Sequence, residues 1–177
     1  MSQSRLSRWT AVAALLAASC VPLTAAPAHA VGTDAVCTGT QNITYTPGLT
    51  LVPTPTAVSV TTAYANCGLL SEPGLTSGSS SSTAEQTLSC LRPLTPGSGS
   101  LTIKWNTGET STFSYTRTIA RVAGQIVVTR TGKIDSGKFE GRSAKEVIAG
   151  PTLDAHKCAG KGITERLGAV TLTITSP

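Results

Sequence analysis

The last stretch of the chain sets the pattern for the rest: Val170, Leu172 and Ile174 alternate with Thr171, Thr173 and Thr175. A period of two puts the aliphatic residues on one face and the threonines on the other, as a half-buried strand requires and a helix forbids. Similar segments recur between turn signals. Ile43 and Tyr45 share a face within Thr40–Thr46, and Val58, Val60, Thr62 and Tyr64 do so within Ala57–Ala65. Thr83–Leu91 follows. Leu101, Ile103 and Trp105 lead through Asn106-Thr107-Gly108 into Phe113, Tyr115, Arg117 and Ile119, the clearest hairpin. Glycine at the third turn position suits the left-handed conformation of a three-residue hairpin loop.

Gln125–Thr131, a weaker segment in Lys138–Ile148, and Ala169–Thr175 complete the set. Good helix-forming stretches are nearly absent, so the chain is predicted to be an antiparallel all-β domain of about eight strands. A two-sheet sandwich is the first expectation. The proline-rich Gly48–Thr56 segment and the long Gly150–Gly162 loop look like connections between sheets. The meander from Leu101 to Ile148 makes an up-and-down β-barrel the alternative. Glu72–Ser82 and Gly132–Gly137 read as a flexible loop and a turn.

The first thirty residues are set apart from this pattern. Arg5 and Arg8 precede the apolar run Ala11–Leu23, and Ala28-His29-Ala30 is a small-x-small cleavage pattern. The run is shorter than the roughly 20 residues of a spanning helix. Residues 1–30 are therefore expected to be a secretory signal cut between Ala30 and Val31, leaving 31–177 as a single domain with no transmembrane segment. Lipid attachment through Cys20 is the alternative, although the leucine usual three residues earlier is missing.

Export changes how the remaining residues are read. Losing Arg5 and Arg8 leaves 12 basic residues against 9 acidic ones, a net charge of +3 in place of +5. The cations are scattered, with Arg117, Arg121 and Arg130 spread through strands, which argues against nucleic acid and for solvated strand faces. Cys37, Cys67, Cys90 and Cys158 make an even set suited to two disulfides in an oxidising compartment, with no zinc-knuckle spacing. Pairing the first two strands about their loop places Tyr45 near Ala57 and Cys37 opposite about position 65. A bulge or two-residue shift would align it with Cys67, favouring Cys37–Cys67 and Cys90–Cys158. On a loop-entropy model the two bonds contribute about 3.6 and about 4.4 kcal/mol.

Little in the chain points to catalysis. His156, two residues after Asp154, is the only histidine left after processing, and no Gly-x-Ser-x-Gly elbow accompanies it. Glu109 and Glu140 are the least bland acidic pair, but nothing links them across a cleft. No catalytic residue, metal ligand or cofactor is assigned. Six aromatic residues remain, and Trp105, beside its turn, is the candidate for an exposed binding aromatic.

Cys37-Thr38-Gly39, Tyr45-Thr46-Pro47-Gly48-Leu49-Thr50, Trp105-Asn106-Thr107-Gly108-Glu109-Thr110-Ser111, Ser136-Gly137-Lys138-Phe139-Glu140-Gly141 and the closing threonine strand occur together after a signal ending Ala-His-Ala. This combination resembles a group of small secreted all-β proteins of actinobacteria whose function is uncharacterised. The resemblance implies export and an all-β fold, and assigns no functional residues. Subtilisin-inhibitor-type proteins and enediyne-carrier apoproteins are also small, exported and doubly disulfide-bonded, but their cysteine spacings differ from this chain's.

The expectation is a secreted, non-enzymatic interaction module at the cell surface or in the medium, with an unknown protein or cell-wall partner. Its candidate contact loops are Gly48–Thr56 and Ser77–Thr83. A protease inhibitor or small-ligand carrier is the alternative, and a hydrolase comes third.

Overall fold

The computed structural model describes residues 32–69 and 74–176; the expected signal segment 1–30, the expected Ala30–Val31 cleavage site and Cys20 lie outside them. Eight antiparallel strands run in chain order: β1 (Thr33–Leu49), β2 (Thr54–Leu69), β3 (Gly78–Leu88), β4 (Gly97–Trp105), β5 (Thr110–Val122), β6 (Gln125–Gly137), β7 (Ser143–Pro151) and β8 (Ile163–Thr175). A five-residue helix, α1 (Ala155–Ala159), interrupts the last connection. Each strand pairs with its neighbours in sequence and β1 pairs with β8, so the sheet closes into an up-and-down barrel.

The sandwich expectation is thereby corrected. Both connections read as sheet-to-sheet crossings join adjacent strands instead. The proline loop shrinks to four residues, Thr50–Pro53, because the strands run on to Leu49 and start again at Thr54. Closure pairs β1 with β8, the first and last strands, which an open sheet would leave as edges.

Serine composition misled in one place. Gly78–Ser82, read as flexible loop and contact surface, is the start of β3, paired with Ala63, Thr62, Thr61 and Val60 beyond Tyr64. A serine run can lie in a strand when a neighbour satisfies its backbone and the wall around it is polar. Gly132–Gly137 likewise belongs to β6, the turn falling at Lys138–Arg142.

Inward faces follow the period of two. On β7 the buried positions are Ala144, Glu146, Ile148 and Gly150; on β8 they include Val170, Leu172 and Ile174. A main core containing Tyr64, Trp105, Phe113, Ile134 and Leu172 fills the end where β1 begins and β8 finishes. A smaller cluster of Ile43, Tyr45, Leu49, Val58, Leu88 and Ile163 lies toward the other end.

Each end carries a disulfide. Cys37 bonds Cys67 across β1 and β2. Tyr45 pairs with Val58, one position on from the sequence register, and a bulge at Thr38/Gly39 adds the second position that sets Cys37 opposite Cys67. Only glycine fits at the bulge, since a Cβ on Gly39 would strike the Ala63 carbonyl. Cys90, just beyond β3, bonds Cys158 of α1 and joins two connections at the far end.

Candidate functional site

One inward row of the barrel carries charge instead of hydrocarbon. Across neighbouring strands Gly97 (β4) pairs with Arg117 (β5), Arg117 with Arg130 (β6), Arg130 with Glu146 (β7) and Glu146 with Leu172 (β8). Glu146 is completely buried. Its carboxylate accepts Arg130 Nη1 at 2.6 Å and the Tyr64 hydroxyl at 2.5 Å, so both oxygens are engaged. The Tyr64 pKa is pushed well above 10.0, by burial first and by the Glu146 charge second.

Arg130 also lies over the Tyr115 ring, 5.0 Å from its centroid. Such a cation–π contact recovers part of the solvation an arginine loses inside a protein. Tyr115 has room because its flanking positions across the sheet are Gly99 and Gly132. A Cβ on Gly99 would meet the Tyr115 hydroxyl at 3.1 Å.

Arg117 differs from Arg130. It faces inward and is half-buried, and no hydrogen bond or ion pair satisfies it among the described residues. Burial holds its pKa below the usual arginine value, and the Arg130 charge acts in the same direction. Like charges directly opposite on one face destabilise a sheet. A third inward arginine, Arg166, is buried near Tyr45 and donates Nη2 to the Ile126 carbonyl. Three inward arginines thus share the barrel interior with one fully buried carboxylate, which Arg130 reaches, and the Nε of each arginine is buried without a partner among the described residues.

Two openings adjoin this row. Between β3 and β4 only Gly78↔Trp105 and Ser79↔Lys104 are paired. Beyond them the wall is split, and Ser82 and Ala84 on β3 and Gly97 and Gly99 on β4, all at inward positions, are exposed. The second opening is a crevice of about 290 Å³ where the connection Leu91–Pro96 arches over Ile119, Arg121 and Ile126. Ile119 is the next inward residue after Arg117, so the crevice lies one step above the charged row. Its volume is near the lower end of the roughly 300–1,000 Å³ of small-molecule sites.

The other candidates fall elsewhere. Trp105, expected as an exposed aromatic, is only 4% exposed. Its Nε1 donates to Ser111 Oγ, and Phe139 packs edge-on at 5.8 Å. Asn106 ties the adjoining turn to Gly74, Thr76 and Ser77, which closes this barrel end over the indole. Asp154 and His156 form no dyad: Asp154 Oδ1 caps α1 by accepting the backbone amides of His156 and Lys157, and the histidine is exposed. Glu109 pairs with Lys138 at 2.9 Å, and the exposed Glu140 lies in the same turn as that lysine, where no cleft joins the two acids.

The charged row was the feature missed in the sequence. Arg117 and Arg130 read as residues of solvated strand faces, and Glu146 falls within the weaker Lys138–Ile148 segment without drawing notice. The signal was nevertheless present, because Arg117 falls in phase with Phe113, Tyr115 and Ile119, and Glu146 with Ala144 and Ile148. Among the described residues no group of acidic, histidine and cysteine side chains is arranged to hold a metal, and no helix is long and apolar enough to cross a membrane. Searches of protein-family models, curated proteins and solved structures found no match to this chain.

Proposed function

We propose that the protein is an exported, non-enzymatic small-ligand carrier whose barrel takes an organic acid with a short apolar body. One observation carries this reading: Arg117 is inward-facing, lacks a counterion among the described residues and lies directly opposite Arg130, whose own charge is already committed to Glu146. A carboxylate beside Arg117 would supply the missing anion and relieve the repulsion between the two guanidinium groups. Arginine's planar fork suits that partner. The crevice one step above, lined in part by Leu91, Leu94, Ile119 and Ile126, would take the apolar portion. Disulfides at both barrel ends fit life in an oxidising compartment and so support export.

Calorimetric titration of the processed chain with octanoate, benzoate, inorganic phosphate and the neutral octanol tests the reading. Octanoate or benzoate is expected to bind more tightly than phosphate or octanol, and Arg117→Gln is expected to abolish the difference between acid and alcohol. Equal binding of acid and alcohol, or no binding of any of the four, would overturn it.

A further inference from the structure

We propose that the barrel end bearing Cys90–Cys158 docks onto an anionic lipid bilayer. Four connections meet there: β1–β2, β3–β4, β5–β6 and β7–β8. Among the described residues six large hydrophobic side chains are exposed, and four of them belong to this end. They are Leu51 at 48%, Val52 at 67%, Leu91 at 70% and Val122 at 58%. Exposed aliphatics scattered singly need no explanation, but grouping on one face marks an interaction surface.

The connections are fastened to one another. The Cys90 amide donates to the Thr50 carbonyl, the Thr152 amide to the Gly124 carbonyl, and Arg121 Nη2 to the Leu91 carbonyl. With the Cys90–Cys158 bond, these links tie all four connections into a single platform. The aliphatic tips are therefore presented together on a preorganised surface, and docking does not have to order them.

Charge selects the occupant. Arg92, Arg121, Lys157 and Lys161 surround the tips and make no ion pair among the described residues. Of the acids at this end, Asp154 caps α1 and Glu165 accepts from Asn42 Nδ2, so neither neutralises these cations through an ion pair. At the opposite end, by contrast, Glu109 pairs with Lys138 and Asp34 with Arg142. Aliphatic tips ringed by unpaired cations match an anionic bilayer, where the tips reach the acyl boundary and the cations meet lipid phosphates.

Flotation of the processed chain with phosphatidylglycerol/phosphatidylcholine vesicles and with pure phosphatidylcholine vesicles tests the proposal. Binding is expected to the anionic vesicles alone and to weaken with salt. Combined Arg92→Glu, Lys157→Glu and Lys161→Glu replacement is expected to lower partitioning by about a hundredfold. Val52→Asp with Leu91→Asp is expected to lower it by at least tenfold, whereas Leu167→Asp, on the exposed barrel side, leaves it unchanged. Each variant is first checked for a parental melting curve, and every substituted position is exposed. Absence of flotation with anionic vesicles would overturn the proposal, as would equal loss in Leu167→Asp. So would tight binding to soluble polyglutamate that survives Val52→Asp with Leu91→Asp, which would assign the surface to an acidic polymer.

Discussion

Replacing Glu146 by glutamine removes the buried negative charge paired with Arg130. The carboxylate has no exposed surface and accepts Arg130 Nη1 at 2.6 Å and the Tyr64 hydroxyl at 2.5 Å. Glutamine can still accept the tyrosine hydroxyl, but it sets an amide NH2 against the guanidinium. Arg130 then stays buried with its charge uncompensated. Removing one member of a buried ion pair costs about 3–5 kcal/mol. With a urea dependence of about 2 kcal/mol per molar, the unfolding midpoint should fall by about 1.5–2.5 M. Equilibrium urea unfolding at neutral pH, followed by tryptophan fluorescence from Trp105, measures this directly. The triple replacement Glu146→Leu, Arg130→Met and Tyr64→Phe removes the charges and the orphaned hydroxyl together, and is expected to recover most of the loss. A Glu146→Gln midpoint within about 0.5 M of the parent would refute the assignment of a buried, tightly held pair. A triple variant as unstable as the single one would refute the explanation by an uncompensated charge.

Three further expectations come from other parts of the barrel. Arg117→Met removes a charge that opposes Arg130 without a counterion, and is expected to raise stability by up to about 1 kcal/mol in the absence of ligand, the reverse of Glu146→Gln. Tyr64 has a raised folded-state pKa, so its contribution is complete below its ordinary value of 10.0 and is lost as the pH climbs above it. Urea midpoints measured from pH 8 to 11.5 should therefore decline above about pH 10, and less steeply in Tyr64→Phe. Paired Cys90→Ser and Cys158→Ser replacement is expected to cost about 4.4 kcal/mol in urea unfolding and to loosen the platform, read as increased proteolysis within Leu91–Pro96 and Lys157–Lys161.

The all-β class could be read from the sequence because alternation is a local property. Val170, Leu172 and Ile174 declare their face without reference to any other strand. Closure could not be read in the same way, because it depends on whether Thr38 and Thr171 meet, and no local signal states that pairing. The serines of β3 obscured their strand because their side chains resemble those of a loop, and the Ala63 to Val60 partners lie far back in the chain. The charged row was hidden for a different reason. Each arginine sits in correct phase to face inward, but a charged residue in a half-buried strand is ordinarily placed on the wet side. Only the meeting of Glu146, Arg130 and Tyr64 from three strands makes the inward orientation tolerable. The same long-range dependence buried Trp105: its own turn looks exposed, and the Asn106 links to Gly74, Thr76 and Ser77 cover it.

The short pairing between β3 and β4 gives the barrel a preferred line of breathing. The first and last strands are laced over a register running from Thr33↔Thr175 to Leu49↔Ile163, whereas β3 and β4 hold only through Gly78↔Trp105 and Ser79↔Lys104. Parting the wall there breaks the fewest ladder bonds and leaves the remaining seven strand pairings intact. Local openings of low free energy arise in segments of this kind. Amide hydrogens bonded across that short ladder should therefore exchange with solvent through subglobal opening, well ahead of those between β1 and β8, which await global unfolding. A guest of the proposed kind would then enter by transient parting of β3 from β4, with the seam between β1 and β8 kept closed.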